Sequence, residues 1–285
     1  QYRKDVVEKM YKDYKKGITP NPDIDCNQKV KFPLLIKTAK KLGAKYVVTG
    51  HYARINKKNE LLRAKDETKD QSYFLCKTKQ SELKHLIFPI GDYTKKQVRE
   101  IAEKNKFPNF NKKSTVGICF IGKINLKEFL QKKIKPKKGK ILDPEGNIVG
   151  EHDGIYYYTI GQRLGPRYGI EVSKRGDDKK FMKRRYVARK NPRKNEIIAA
   201  PEAHKLLYRK EIIIKNPHWI SKKPKNNLKV YSRIRQVGEL LPSKLTCKNK
   251  KYKVILNKAI TGVSEGQAIV LYSGKKVLGG GEIRF

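Results

Sequence analysis

Acidic side chains are scarce in this chain. Its 285 residues hold 27 Asp and Glu against 68 Lys and Arg, a formal charge of +41. A field of that size disfavours basic partners and attracts polyanions, nucleic acid first among them. The wealth of Lys, Asn and Ile is also what an AT-rich genome yields, so no single lysine is diagnostic. Cysteine is rarer still. The four, Cys26, Cys76, Cys119 and Cys247, form no pair at metal-ligand spacing, which argues against a zinc site and a disulfide-dense secreted scaffold and leaves intracellular thiols. No run of about 18 apolar residues occurs, so no membrane span is expected. The opening "QYRKDVVEKMYKDYKKG" reads as a charged helix without the apolar segment of a secretory signal. A phosphate-cradling glycine loop followed by Lys and Ser or Thr is also missing. The lone glycine cluster, Gly279 to Gly281, closes a predicted strand and reads as a bulge or tight packing point.

The length suits two or three domains. "KFPLLIKTAKKLGA" has helical spacing, with Pro33 tolerable in the first turn and Gly43 as the stop. Lys45 to Thr49 form a short β-branched strand with Gly50 and His51 just past its carboxyl end, where ligands bind in an open α/β sheet. Helix followed by strand at this spacing predicts a mostly parallel sheet. Thr94 and Gln97 form a capping box, and Asn125 precedes another helix. Between them "KSTVGICFIG" is small and β-branched. After Lys135 the pattern changes to "GKILDPEGNIVG", a hairpin, and then to short strands punctuated by Gly, Asn and Pro. The chain therefore divides into an α/β unit over residues 1–125 and a mostly β second part, which a further boundary near "AAPEAHKLLYRKEIIIKNPHW" splits into two β modules, 126–205 and 206–285.

Chemistry concentrates in "TPNPDIDCNQKVKF". Pro20 and Pro22 push Thr19 and Asn21 toward extended conformations, which predicts a stiff, non-helical loop able to aim Asp23 and Cys26 into one space. Cys76 in "QSYFLC" and Cys247 in "KLTCK" lie in strand-like runs and read as structural. Cys26 and Cys119 each sit in a Pro- or Gly-bounded loop. Two readings of that pair stay open from residue types alone: thiol or persulfide exchange, or two small buried hydrophobes.

The blocks "GITPNPDIDCNQKVKF", "LGAKYVVTGHYAR", "KDQSYFL", "FPIGDYTKKQVREIA", "STVGICFIG", "GEHDGIYYYTIGQRLG" and "GQAIVLYSGKKVLGGGEI" stand in the order found in the bacterial and organellar tRNA-specific 2-thiouridylases. The chain resembles that family from about Gly17 to its last residues. The resemblance implies an ATP-pyrophosphatase (PP-loop, adenine nucleotide alpha hydrolase-like) parallel-sheet domain, partial here, then a small central domain and a C-terminal β-barrel. It implies a tRNA-uridine 2-sulfurtransferase that uses ATP with Mg2+ to adenylate the C2 oxygen of the wobble uridine, after which a persulfide delivers sulfur. The implied partners are the anticodon loop of tRNA and a persulfide donor protein or cysteine desulfurase.

Carried over residue by residue, Cys26 resembles the nucleophile, Cys119 the persulfide-bearing cysteine and Asp23 the general acid/base, with Asn21 and Pro22 shaping the base pocket. Gly50 resembles a backbone contact to ATP. His51, the segment Lys69, Asp70 and Gln71, and in the barrel Arg233, Ile234 and Gln267, resemble tRNA contacts. Ile234 departs from the aromatic residue common there. The family's Ser-Gly-Gly-x-Asp-Ser phosphate loop is expected upstream of Gln1, and a first residue other than Met is in line with a fragment. A rival reading is a non-catalytic tRNA-binding protein that has lost the ATP loop. Cytoplasm is the expected compartment, with mitochondrion or plastid as the alternative.

Overall fold

The computed structural model describes residues 1–112, 117–119, 121–122, 124–165 and 184–285. The expectation of a small, β-branched segment at Lys113–Val116 and Phe120, and that of short strands over 166–183, lie outside the described residues.

The first unit begins with a π-helical turn, Arg3–Glu8, running into α1 (Lys9–Lys15). Next come α2 (Pro22–Cys26), a second π-helical turn, Asn27–Lys31, and α3 (Phe32–Lys41). The stretch expected to be a non-helical loop is therefore helical from Pro22 onward. Only its lead-in is extended: Asn21 sits at φ −114°, ψ 94° and caps α2, accepting the Ile24 N–H at 3.3 Å. Pro22 occupies the first helical position, where its missing N–H costs nothing.

Strand β1 (Val47–Val48) leads to the hairpin of β2 (Ala53–Ile55) and β3 (Leu61–Arg63), then to α4 (Gln80–Leu83), β4 (Leu86–Ile87) and α5 (Lys95–Lys104). β1 and β4 pair in parallel, Val47 opposite Leu86. Thr94 and Gln97 cap α5 reciprocally, as their spacing predicts. Cys76 is not on a strand. It follows a single 3-10 turn, Ser72–Leu75, and is fully buried because Tyr73 and Leu75 of that turn fill the core beside it.

The central unit starts with α6 (Leu126–Gln131), capped by Asn125. Strands β5 (Gly139–Leu142), β6 (Ile148–His152), β7 (Arg163–Leu164), β8 (Arg185–Asn191) and β9 (Glu196–Pro201) form a sheet in the order β6-β5-β9-β8-β7. The β5–β6 hairpin turns on Asp143, whose carboxylate accepts the Glu145 and Asn147 N–H groups.

The last unit comprises β10 (Tyr208–Trp219), β11 (Leu228–Arg233), β12 (Leu241–Lys248), β13 (Lys251–Thr261), β14 (Ala268–Ser273) and β15 (Lys276–Arg284). They run β10-β13-β12-β11-β14-β15, and β10 pairs back onto β15, so the barrel closes and no strand edge is left open. Inward-facing Ile212, Val230, Leu245, Val254 and Leu271 fill it. Gly279 lies inside β15 rather than at its end. It has φ +137°, and a Cβ there would stand 2.0 Å from the His218 carbonyl oxygen, so β10 can close on β15 only where the side chain is absent.

The first unit is built into the barrel. Leu62 of β3 pairs with Lys276 of β15, and one apolar core takes in Phe32, Leu61, Tyr73 and Leu75 together with Val270, Tyr272 and Val277. Among the described residues no helix is long and apolar enough to cross a membrane.

Candidate active site: two thiols and a carboxylate

The helix from Pro22 to Lys41 changes pitch in its middle. Pro33 has no N–H to give, and its ring crowds the carbonyl four residues back. The helix widens there, the Phe32 N–H reaching the Asn27 carbonyl five residues earlier. Such one-turn expansions recur at functional sites. Asn27 anchors the turn by donating to the Phe74 carbonyl at 3.3 Å.

Opposite Cys26 stands Cys119, held in a tight turn whose Ile118 N–H donates to the Gly122 carbonyl at 3.1 Å. The two sulfurs are 3.7 Å apart, a thiol hydrogen bond rather than a covalent one, and both cysteines are free. Asp23 reaches across: its Oδ1 accepts the Cys119 N–H at 2.9 Å. The Tyr2 hydroxyl donates to the Cys119 carbonyl. Cys26 is 1% exposed, packed among Val6 and Val30, while Cys119 is more open.

The shared hydrogen bond splits the two thiols. Cys119 is pushed down, first by the hydrogen bond from Cys26 and then by the charge of Lys31, against burial and the Asp23 charge. Cys26 moves the opposite way, because it holds the shared proton and is desolvated. The pair therefore loses its first proton from the more accessible sulfur. Burial raises the Asp23 carboxyl, offset in part by the Cys119 N–H and by Lys31. Of the thiol/persulfide and buried-hydrophobe readings left open by residue type, this geometry supports the first: two inert core thiols have no need to face each other within hydrogen-bond reach, with a carboxylate reaching across to one of them.

Gly50 lies past the carboxyl end of β1, on the wall of a cavity of about 840 Å3 shared with Pro89, Ile90, Tyr93, Lys95, Arg99 and Phe107. His51 points elsewhere. Its ring packs edge-on against Phe32 and Phe88, at 5.6 Å from each, and its Nδ1 pairs with the Thr49 hydroxyl at 2.8 Å. Burial, then Lys31, lowers its pKa to about 4, so the ring is neutral at pH 7.

The remaining predicted contact residues largely bind one another. Lys69 is exposed. Asp70 is buried at the junction with the barrel: its Oδ2 accepts Arg233 Nη1 at 2.8 Å and the Ser72 hydroxyl at 2.9 Å, and its Oδ1 accepts the Ala64 and Ser72 N–H groups at 3.0 and 3.2 Å. Gln71 exchanges bonds with the Tyr52 backbone, its side chain accepting the N–H at 2.9 Å and its own N–H donating to the carbonyl at 2.7 Å. Ile234 faces the barrel core. Gln267 donates to the carbonyls of Thr19 and Pro20, 3.1 Å each, and so clamps the segment that leads into α2.

Two residues that the sequence reading passed over join these sites. They are Tyr2 and Gln236, whose side chain donates to the Asp70 carbonyl at 2.6 Å. Neither had a usable signal. Among the described residues no group of three or more His, Cys, Asp or Glu is placed to hold a metal ion.

Comparison with known proteins adds three family models. Residues 1–123 match the tRNA methyl transferase HUP domain, 127–201 the tRNA methyl transferase PRC-barrel domain, and 209–283 the aminomethyltransferase beta-barrel domain. The tRNA-specific 2-thiouridylase MnmA of Ruthia magnifica subsp. Calyptogena magnifica is 40% identical over 288 residues, covering 100% of this chain and 78% of the relative. Those of Chlamydia abortus and Lactobacillus helveticus are 39% and 38% identical, each over 99% of this chain and over 77% and 76% of the relative.

Proposed function

The chain belongs to the family of tRNA-specific 2-thiouridylases, and from that premise we propose that it is a tRNA sulfurtransferase replacing the C2 oxygen of the wobble uridine with sulfur, in an ATP-dependent reaction through a cysteine persulfide. Residues 1–125 form its catalytic unit, 126–205 its central unit and 206–285 its tRNA-binding barrel. The observation that carries the reading is the meeting of Cys26 and Cys119, 93 residues apart in sequence, at 3.7 Å beside Asp23. Methyl transfer, named in two of the family-model descriptions, has no use for a second thiol in hydrogen-bond contact with the first.

The cavity at Gly50 fits a nucleotide. Ile90, Tyr93 and Phe107 offer apolar and aromatic wall for a purine, and Lys95 and Arg99 offer cations for an anionic tail. When bound there, ATP with Mg2+ supplies the adenylyl group that makes the uridine C2 oxygen a leaving group.

The chain's own residues do the rest. Cys119, the more accessible and more acidic sulfur, takes a sulfur atom from the donor protein as a persulfide. Asp23, held protonated by burial to a higher pH than a free carboxyl, moves a proton at the uracil. The terminal persulfide sulfur bonds to C2 as the activated oxygen departs. Cys26 then attacks Cys119 Sγ, the bond from that atom to the transferred sulfur breaks, and its electron pair leaves with the sulfur on the base. A Cys26–Cys119 disulfide remains, to be reduced by a dithiol before the next cycle. The wobble base reaches this pocket at little cost, because it comes from a single-stranded loop. Asn21 and Pro22, at the head of α2, shape the entrance, and His51, Lys69, Asp70, Gln71, Arg233, Ile234 and Gln267 form or support the RNA-facing surface.

The test is an in vitro thiolation assay on the complete protein with ATP, tRNA and a persulfide source. Cys119→Ser is expected to abolish 2-thiouridine while leaving tRNA affinity within twofold, and retained thiolation defeats the sulfur path. A wild-type protein that binds tRNA, weakening steeply with salt, yet never thiolates it would establish the non-catalytic alternative.

A further inference from the structure

Two small cavities flank one arginine where the central unit meets the barrel. The first, about 240 Å3, lies beside the turn at Gly161 and is walled by Tyr186, Leu207, Tyr208 and Glu202. The second, about 290 Å3, lies on the barrel among Tyr208, Leu241, Ile260 and Glu239. Tyr208, Arg235 and Thr261 line both, and so stand between them.

Close backbone approach builds this partition. Gly161 has φ +84°, and a Cβ there would stand 2.7 Å from the Gly262 Cα. At Gly262, φ +71°, a Cβ would stand 3.3 Å from Arg235 Nη1. The guanidinium therefore lies over bare backbone. It is exposed and makes no salt bridge to a described carboxylate, although Glu202 and Glu239 line the cavities on either side. Arg233 and Ile234, just before it, are buried. The contact with RNA expected at those two positions is turned inward, and the cation left outside is Arg235.

The junction is also tied to the thiol site. Two residues before Gly161, the Thr159 hydroxyl pairs with that of Thr19 at 3.2 Å, and Thr19 leads through Pro20 to the Asn21 cap of α2. The cavities thus lie within reach of nucleotides next to the everted one.

Their lining fits single-stranded RNA. Neither reaches the roughly 300–1,000 Å3 of a site for a larger ligand, but each suits one planar ring. The shared tyrosine and the apolar side chains offer stacking surface, and the two carboxylates accept the N–H groups that bases carry on their edges. One guanidinium between two rings matches the phosphate that joins two nucleotides.

We propose that these cavities bind two consecutive single-stranded nucleotides of the tRNA, Tyr208 stacking on a base and Arg235 holding the phosphate between them. The identity of the RNA rests on the sulfurtransferase reading; affinity for a single strand does not.

The test titrates the full chain with labelled tRNA by fluorescence anisotropy over a range of salt concentrations. Arg235→Gln is expected to weaken binding by about tenfold or more. It should also reduce the slope of log affinity against log salt by about 0.7, the share of one phosphate on a single strand. Tyr208→Leu keeps the bulk and loses the π face, so it is expected to weaken binding by about tenfold with the slope unchanged, while Tyr208→Phe binds as the wild type does. Melting temperatures are measured for each variant. Should Tyr208→Leu unfold, ultraviolet cross-linking of the wild-type protein to tRNA takes its place, with the nucleotide expected on the peptide that holds Tyr208. Affinity and slope unmoved in Arg235→Gln, or cross-links only on peptides that hold neither Tyr208 nor Arg235, overturn the proposal. Thiolation is assayed alongside. Weakened variants beside a wild type that makes no thiouridine sink the sulfurtransferase reading and leave the RNA site, whereas variants that bind and thiolate like an active wild type do the reverse.

Discussion

Replacing Asp70 by Asn tests whether the fold or the RNA is the main claimant on that carboxylate. The side chain is 0% exposed and faces two guanidinium groups, Arg233 at 2.8 Å and Arg63 at 3.8 Å, themselves 5% and 9% exposed. Asn preserves the volume and can still accept the Ala64 and Ser72 N–H groups. What it removes is the charge. Arg63 keeps Glu67 at 3.0 Å, but Arg233 has no other described carboxylate within salt-bridge distance, and it lies over the Tyr272 ring inside the shared core. Stranding one partner of a buried ion pair costs about 3–5 kcal/mol. For a chain of this size that is a fall in melting temperature on the order of 10 °C. Asp70→Asn combined with Arg233→Met is expected to recover much of the loss, since both ends of the pair are then gone. Calorimetry of the three proteins decides it. An unchanged melting temperature, with tRNA affinity alone reduced, would refute the assignment of Asp70 and Arg233 as the bolt between the first unit and the barrel.

Two further outcomes follow from the site. Asp23→Asn is expected to lower thiolation by about a hundredfold or more, the usual scale for a lost general acid/base, while raising the melting temperature at pH 7. Burial raises the Asp23 pKa in the fold, so the wild type is stabilised by that group below its unfolded pKa and loses the contribution as pH rises through the folded one. The gain from Asn should therefore vanish near pH 3, and calorimetry against pH that shows the opposite slope contradicts the desolvation account. Gln267→Ala removes two hydrogen bonds to the segment entering α2, worth about 1 kcal/mol each. Steady-state kinetics should show kcat falling with KM for tRNA nearly unchanged, whereas a rise in KM alone would mark Gln267 as an RNA contact instead.

Much of the architecture can be read from local pattern. The capping box at Thr94 and Gln97, the Asn125 cap, the hairpin around Asp143 and the shift from helical to strand spacing after Lys135 are all short-range effects, and each recurs in the fold. The errors are short-range as well, but came from weighing one local cue too heavily. Pro22 reads as a helix breaker unless its place at the first helical position is recognised. The aromatic run before Cys76 reads as a strand, although tertiary packing winds it into a 3-10 turn around Tyr73, whose hydroxyl donates to the Ala268 carbonyl at 3.0 Å.

By itself, then, the order of residues determined the strong positive field, the succession of helical and strand-forming segments and the chemical types available for reaction, because these depend on side chains and their near neighbours. Only the tertiary structure decided which of those types meet. Cys26 faces Cys119 across 93 positions, Asp70 bonds Arg233 across 163, and Gln267 holds Thr19 across 248. Contacts at such separations depend on core packing and loop closure summed over the whole chain, and spacing along the backbone carries no record of that sum.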